Sequence, residues 1–228
     1  MKLSIIIPVY NEVKTVEETI KRVFLAPTKG YEKEVIVVND GSDDGTEKLL
    51  ENLREKFGFF LLHHQNNRGK GAAIRTAIRK TSGDAVIIQD ADLEYDPNDY
   101  QKLLNALGQD SPIVYGSRNL KKNKRKGVIL YFLGGKLLTV LCNFLFGSHL
   151  TDVYTCYKLF RSDIIKNIAS ESNGFELEME ITAKVLKAGH RIKEVPINYF
   201  PRKPSQGKKI KFRDGIISLW TLVKHRIK

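Results

Sequence analysis

Cysteine is scarce in this chain of 228 residues, which has only Cys142 and Cys156 and no CxxC pair. This scarcity argues against a disulfide scaffold and a zinc site, and it fits a reducing, cytosolic setting. Long apolar runs are also missing. The most apolar stretch, residues 127–147, is interrupted by Lys136 near its middle, so we do not predict a transmembrane helix there.

The N-terminal residues lack the pattern of a signal peptide, and the chain contains no internal repeat or low-complexity segment. Acidic residues are too few to balance the basic ones: 26 stand against 38, which gives a net charge of +12. This excess predicts an anionic partner, namely nucleic acid, a phosphorylated substrate or a membrane surface. With 42% hydrophobic residues, the chain can bury the core of one domain, or of one and a half.

The most informative stretch is 86–97, with the sequence VIIQDADLEYDP. Its apolar beginning predicts a buried strand, which ends at Asp90, Asp92 and Glu94. Side chains two apart in an extended chain point the same way, so these acids should converge. A divalent cation such as Mg²⁺ or Mn²⁺ would relieve their repulsion. The alternative is a solvated loop whose acids cap a helix that Pro97 begins.

Three units of strand, polar loop and helix precede this stretch. This order predicts a doubly wound α/β domain with a mostly parallel sheet, in which ligands bind at the carboxyl ends of the strands. Asp40, Lys70, Asp90 and Asp92 should therefore share one crevice. The predicted strands are 3–10, 34–38, 59–64 and 86–88, and the predicted helices are 13–25, 47–57 and 72–81.

The second half of the chain mixes shorter elements with two apolar helices. We predict helices at 99–107 and 176–188 and strands at 112–116 and 191–199. A helix that begins near Val128 is apolar nearly all round, which fits either a core helix or one resting on a membrane. A basic loop, 202–211, precedes an amphipathic helix, 214–228. Its apolar side comprises Ile216, Ile217, Leu219, Trp220, Leu222 and Val223.

Several motifs, taken in order, resemble the family-2 glycosyltransferases of the GT-A fold. They are 8–12 (PVYNE), 38–42 (VNDGS), 67–71 (NRGKG) and 90–92 (DAD). Within that family, the chain looks most like the dolichyl- or polyprenyl-phosphate sugar synthases. Motifs 116–118, 151–152, 157–161, 175–178 and 194–197 carry that closer match. The resemblance implies a glycosyltransferase domain over 1–212, with a nucleotide-binding half (1–118) and an acceptor-binding half (119–212), before a helix at 213–228.

The resemblance implies roles for residues of the donor half. The nucleotide would lie against Pro8, Tyr10, Glu12, Val38, Asp40, Asp90 and Ala91. Asp92 and Glu94 would hold the metal, and Asp90 would meet the nucleotide or the metal's water shell. Many relatives have Gln in place of Glu94. Lys70 would reach the donor phosphate or cap a helix. Arg202 and Lys208 would close over the diphosphate, or belong to a solvated basic tail.

The resemblance also implies roles in the acceptor half. Arg118 would bind the acceptor's phosphate. Asp152 would orient the attacking group or the sugar, or else shape a turn. Glu176 and Glu178 would contact sugar hydroxyls, although acids at the positive end of a solvated helix explain them almost as well.

The implied function is metal-dependent, inverting transfer of a hexose, with mannose favoured, from a nucleotide sugar such as GDP-mannose to a polyprenyl phosphate. The alternatives are UDP-glucose or another UDP-sugar as donor, or a saccharide acceptor. The basic run 121–126 beside an apolar helix suggests peripheral attachment at the cytoplasmic membrane face, directly or through an anchoring subunit. Nucleic-acid binding is disfavoured, because the basic residues are not interleaved with aromatic residues.

Overall fold

The computed structural model describes residues 1–120, 129–202, 207 and 209–227. The strands of this part are β1 (Lys2–Val9), β2 (Glu32–Asn39), β3 (Phe60–His63), β4 (Ala85–Ile88), β5 (Ile113–Ser117), β6 (Lys158–Arg161) and β7 (Ile192–Pro196). The α-helices are α1 (Val16–Leu25), α2 (Thr46–Phe57), α3 (Lys70–Ile78), α4 (Tyr100–Ala106), α5 (Ile129–Phe146), α6 (Ser162–Asn167), α7 (Leu177–Lys187) and α8 (Phe212–Ile227). A 3₁₀ turn, Pro97–Asp99, precedes α4.

One seven-stranded sheet runs through both halves of the chain, in the order β3-β2-β1-β4-β6-β5-β7. This confirms the predicted α/β class. Strands β1 to β4 are parallel, whereas β6 is antiparallel to β4 and β5. The apolar pattern could not predict that reversal, because a strand buried on both faces reads as a continuous apolar run whatever its direction. Helix α6 was not predicted, since six residues are too few to establish a helical period.

Two apolar clusters stabilise this arrangement. The larger cluster covers both faces of the sheet and includes the buried side chains of β1, β2 and β4. The smaller one lies among α5, α7 and α8, where Leu138, Cys142, Met179 and Leu222 are buried. Both cysteines are buried free thiols, as expected for a chain without a disulfide scaffold.

Helices α5 and α8 pack against each other, and each also presents apolar side chains to solvent. In α5, one face is buried, whereas Leu133, Leu137, Val140 and Phe144 on another face are exposed. In α8, Leu222 is the only one of the six predicted apolar-side residues that is fully buried. Ser218 and Thr221 share its face, whereas Ile216, Leu219 and Trp220 are exposed. None of the helices in the described ranges combines the length and hydropathy of a membrane span.

Candidate active site

The polar loops after β1, β2, β4 and β5 lie at the carboxyl end of the sheet, where parallel α/β sheets bind their ligands. At the end of β4, Gln89 fixes the start of the acidic loop. Its Oε1 accepts hydrogen bonds from the buried hydroxyls of Tyr100 and Tyr157, both at 2.6 Å. Its Nε2 donates to the Asp90 carbonyl at 2.9 Å. The first acid therefore leaves the sheet from a rigid position.

The residues expected at the nucleotide lie on adjacent strands. Pro8 of β1 pairs in register with Val38 of β2. Asp40 follows β2 and is buried, with its carboxylate already engaged. It accepts hydrogen bonds from the backbone N–H groups of Arg68 and Gly69 at 3.0 and 2.8 Å, and His64 Nδ1 lies 2.6 Å away. Asp40 thus shapes the loop that carries Lys70.

The glycines around Lys70 allow a close approach between two loops of the protein. A Cβ at Gly69 would lie 2.3 Å from the carbonyl oxygen of Asn173. A Cβ at Gly71 would lie 2.3 Å from that of Ser172. Gly71 N–H donates to the Asn173 carbonyl at 2.7 Å. Residues 69–71 are therefore packed directly onto the loop that leads into α7.

Lys70 joins the donor half to the acceptor half. Its Nζ lies 2.7 Å from Asp90 Oδ1 and 3.1 Å from Glu178 Oε1. Glu178 Oε2 in turn pairs with Lys158 Nζ at 2.5 Å. Burial opposes the charge on Lys70, but Asp90 and Glu178 outweigh it and raise the pKa of this amine well above its usual range. Lys70 is therefore charged at neutral pH.

A second set of acids, which we call the acid cluster, comprises Glu12, Asp92 and Glu94. Arg202 lies among them, with Nη2 at 3.0 Å from Asp92 Oδ2 and Nη1 at 3.1 Å from Glu12 Oε2. Lys209 Nζ lies 2.6 Å from Glu12 Oε1 and donates to the Tyr10 carbonyl. The segment that follows β7 therefore supplies the countercharges of the acid cluster.

Glu94 fastens this segment to the acidic loop. Tyr199 Oη donates to Glu94 Oε2 at 2.5 Å, and the backbone N–H of Arg202 donates to Glu94 Oε1 at 2.7 Å. The N–H of Phe200 donates to the Glu94 carbonyl at 2.9 Å. Both carboxylate oxygens of Glu94 thus have protein partners, whereas Asp92 contacts Arg202 and accepts from the Glu94 N–H at 3.0 Å.

The protonation of Asp92 reflects an excess of negative charge. Burial and the carboxylates of Asp90 and Glu94 raise its pKa to about 7, although Arg202 opposes them. A divalent cation would favour the ionised form, so the donor set fits one. No group of three or more His, Cys, Asp or Glu side chains within the described ranges is arranged to hold a metal alone. Substrate oxygens would therefore have to complete the coordination.

Two backbone conformations at the acid cluster are unusual. Asn11 has φ of 48° and Leu93 has φ of 64°. A left-handed leucine is rare, since its Cβ crowds the backbone. Leu93 turns the chain between Asp92 and Glu94, and Asn11 precedes Glu12. Such strain clusters at functional sites, and here it sets the direction of three acids.

Arg118 and Asp152, which we call the arginine pair, form a closed unit. Arg118 Nε and Nη2 donate to the two oxygens of Asp152 at 2.7 and 2.8 Å, and Arg118 N–H adds a third bond at 2.9 Å. The guanidinium lies 5.0 Å from the centre of the Tyr199 ring. Glu194 holds the backbone of this loop by accepting from the N–H groups of Thr151 and Asp152. Asp152 thus orients Arg118.

The remaining expected site residues lie nearby or outside the described ranges. Ala91 is buried between the two aspartates, and Glu176 Oε1 accepts from Gly174 N–H at 3.0 Å. Tyr10 lies 5.7 Å from Lys209 Nζ, measured to the ring centre. Lys208 and the basic run 121–126 fall outside the described residues.

Four residues of the site were not singled out from the sequence: His64, Lys158, Tyr199 and Lys209. Lys158 could have been found from the sequence, because it interrupts an otherwise apolar run, 156–160. A lysine in a buried strand requires a partner. The other three are polar residues near loops, and their partners are distant in sequence.

Comparison with known proteins shows which proteins this chain is similar to. A family model described as "Glycosyl transferase family 2" matches residues 4–169. Dolichol-phosphate mannosyltransferase of Pyrococcus furiosus is 28% identical over 211 residues, covering 91% of this chain and 59% of that protein. This chain therefore spans about three fifths of that relative's length. Undecaprenyl-phosphate mannosyltransferase of Micrococcus luteus is 28% identical, covering 91% of this chain and 87% of that protein.

Among solved structures, glucosyl-3-phosphoglycerate synthase from Mycobacterium tuberculosis superposes with a TM-score of 0.76 at 17% identity. The match covers 99% of this chain and 78% of that chain, and that crystal contains Mn²⁺, UDP and phosphoglyceric acid. At this identity the likeness establishes the fold, which confirms the predicted GT-A architecture.

Proposed function

This chain belongs to glycosyl transferase family 2, and from that premise we propose that it moves a hexose, with mannose favoured, from a nucleotide sugar to a polyprenyl phosphate. The observation that carries the proposal is that the acid cluster with Arg202, the Lys70 ion pair and Arg118 all lie at the same edge of the sheet. Such a site matches a diphosphate donor and a phosphate acceptor. The polyprenyl-phosphate activities in the names of two relatives support the choice of acceptor.

On the donor side, the nucleotide lies along the ends of β1 and β2. Tyr10 offers a ring for stacking. Lys70 and Arg202 face the diphosphate, and Arg202 is suited to it because its planar fork bonds two oxygens at once. Arg202 would exchange its contact with Asp92 for one with the donor phosphates. Lys208 of the same segment would bind the same phosphates.

Asp92, helped by Asp90, would hold a Mg²⁺ or Mn²⁺ ion, which supplies positive charge to the departing diphosphate. Glu94 fits a supporting role, since both of its oxygens already bind Tyr199 and Arg202. The left-handed turn at Leu93 keeps Asp92 aimed into the crevice while Glu94 holds the following segment.

On the acceptor side, Arg118 orients the phosphate of the lipid. One phosphate oxygen attacks the anomeric carbon of the sugar, the bond from that carbon to the diphosphate breaks, and the nucleoside diphosphate leaves with the electron pair. A phosphate oxygen is already ionised at neutral pH, so the step requires no strong general base. Asp152 holds the Arg118 fork in one orientation, and Glu176 would contact a sugar hydroxyl.

We further propose that the protein works at the cytoplasmic membrane face, held peripherally or by an anchoring subunit. The support is the exposed apolar faces of α5 and α8, on which Phe144 is 83% and Trp220 is 65% exposed. Exposed apolar side chains on two packed helices favour interaction with a partner or a membrane. The basic run 121–126 immediately precedes α5 in sequence and would favour anionic lipids.

The test is product analysis with radiolabelled GDP-mannose, UDP-glucose and other UDP-sugars, dolichyl or undecaprenyl phosphate, and Mn²⁺ or Mg²⁺. We expect a glycolipid that is stable to mild alkali, which identifies it as a sugar phosphodiester. We expect no product from Asp92→Ala. Absence of glycolipid with every donor would overturn the proposal. The donor that gives product decides between GDP-mannose and a UDP-sugar.

Arg118→Lys distinguishes a phosphate acceptor from a saccharide acceptor. The lysine keeps a positive charge opposite Asp152 but loses the bidentate fork, so KM for polyprenyl phosphate should rise about tenfold. Transfer to a saccharide would be nearly unchanged.

A further inference from the structure

We propose that Lys158 is a positioning residue that holds Lys70 in place for the donor through Glu178. We call the chain of contacts Lys158–Glu178–Lys70–Asp90 the lysine relay. The inference rests on the proposed function, because it concerns the residue that would face the donor diphosphate.

Lys158 is a fully buried lysine, with 0% of its surface exposed. Its Nζ donates to the carbonyls of Val153 (3.1 Å) and Thr155 and to Glu178 Oε2 (2.5 Å), so its three protons are all used. It also lies 4.8 Å from the centre of the Tyr115 ring. A buried ammonium is costly, and a chain retains one only with close partners or for a purpose.

Glu178 connects this lysine to the site. It is only 3% exposed, and its two oxygens face two different lysines. Oε2 accepts from Lys158, whereas Oε1 accepts no hydrogen bond from any described residue and faces Lys70 Nζ at 3.1 Å. The contact with Lys70 is therefore an ion pair, and its strength depends on how much of the Glu178 charge Lys158 already neutralises.

The four groups carry two positive and two negative charges. With Lys158 present, part of the Glu178 charge is neutralised, and Lys70 lies against Asp90 at 2.7 Å. Without the charge of Lys158, Glu178 would be a buried carboxylate with one cation within reach. It would draw Lys70 inward, away from Asp90 and from the donor phosphates.

A merely structural ion pair predicts something different. If Lys158 only stabilised the packing of β6 against α7, its loss would lower stability without changing the affinity for the nucleotide. If the lysine relay operates, affinity changes and a second substitution at Glu178 reverses the change.

The experiment measures the affinity of the full chain for GDP and for UDP by isothermal titration at saturating Mn²⁺. Lys158→Met, which keeps the length of the side chain, should raise the Kd of the better nucleotide at least tenfold. Glu178→Gln should also weaken binding, by threefold or more. In that variant Lys158 keeps the amide oxygen, so the amide nitrogen faces Lys70, which loses the acceptor that holds it in position.

The double variant Lys158→Met/Glu178→Gln should bind within threefold of the wild type. With Lys158 absent, the glutamine can turn its oxygen toward Lys70, and no uncompensated buried charge remains. If Lys158→Met does not fold, the double variant still tests the proposal, because its nucleotide affinity can be compared directly with that of Glu178→Gln.

The matched control is Lys184→Met. Lys184 lies on the same helix as Glu178 and pairs with a buried glutamate, Glu180, at 2.6 Å, but it is not part of the lysine relay. It should lose stability and keep its nucleotide affinity.

Wild-type affinity retained by both single variants would overturn the relay while leaving the proposed function intact. Weakened single variants with no recovery in the double variant would also overturn it. If the wild type binds neither nucleotide, the proposed function fails, and the relay fails with it.

Discussion

The acid cluster and the arginine pair lie at the same end of the sheet, yet their charges are arranged in opposite ways. In the arginine pair, Asp152 is 2% exposed and receives three hydrogen bonds from one arginine. In the acid cluster, three carboxylates share Arg202 and Lys209, and the pKa of Asp92 rises to about 7. One unit is electrostatically complete, and the other has an excess of negative charge.

This difference predicts that the two units respond in opposite ways when one charge is removed. A complete pair stabilises the fold only while both partners remain, because the loss of one leaves the other buried and unpaired. An incomplete cluster gains from a cation, so the charge of Asp92 can be removed with little loss of stability and a large loss of function. The two units are joined by Tyr199, whose hydroxyl binds Glu94 and whose ring lies on Arg118.

The largest expected effect is the loss of activity on removing the charge of Asp92. Asp92→Asn keeps the shape of the side chain but removes the carboxylate that would hold the metal, so kcat/KM should fall about 10³-fold. Its free energy of unfolding without metal should equal or exceed that of the wild type, because one repulsive charge is gone. Steady-state kinetics and urea unfolding check both, and activity within tenfold of the wild type would contradict the metal role.

The arginine pair should behave in the opposite way. Asp152→Asn leaves the Arg118 guanidinium, whose side chain is only 21% exposed, half-paired, so the free energy of unfolding should fall by about 3 kcal/mol. The control is Asp163→Asn, which breaks an exposed pair with Arg161 and should cost at most about 0.5 kcal/mol. Equal midpoints of urea unfolding for these two variants would show that the arginine pair is not a stabilising unit.

The acid cluster should also make stability depend on pH. Asp92 has a pKa of about 7 in the folded chain against an ordinary value of 3.8. As pH rises between these values, the unfolded chain releases the proton first, so the metal-free protein loses stability, by about 4 kcal/mol in all. The measurement is the difference in unfolding free energy between wild type and Asp92→Asn in EDTA from pH 4 to 8. A difference that does not change with pH would contradict the raised pKa.

The smallest effects should come from Tyr199, which touches both units. Tyr199→Phe removes only the hydrogen bond to Glu94 and should cost about 1 kcal/mol. Tyr199→Leu also removes the ring beside Arg118 and should cost about 1 kcal/mol more. If phenylalanine and leucine destabilise the chain equally, the ring makes no contribution to the arginine pair.

The sequence predicted more about the donor half than about the acceptor half. The strand ends carrying Asp40, Asp90 and Asp92 follow regular apolar runs, so their common edge could be inferred. The reversed strand β6 and the short helix α6 could not, because neither direction nor a six-residue helix leaves a period in the pattern. The sequence also could not show that Asp40 binds the backbone of residues 68–69, or that Gly69 and Gly71 contact residues 172–173. These partners are distant from one another along the chain.

The sequence by itself determined the α/β class, the family and the order in which acids and cations follow the strands. These depend on apolar periodicity and local motifs, which neighbouring residues encode. The tertiary structure decided which charge meets which. Lys158 reaches Asp90 only through Glu178 and Lys70, and Arg202 meets Asp92 across 110 residues. Because electrostatic partners depend on distance in space, the stretch around Asp92 acquired its excess of negative charge, and Asp152 its complete pairing with Arg118, only once the chain had folded.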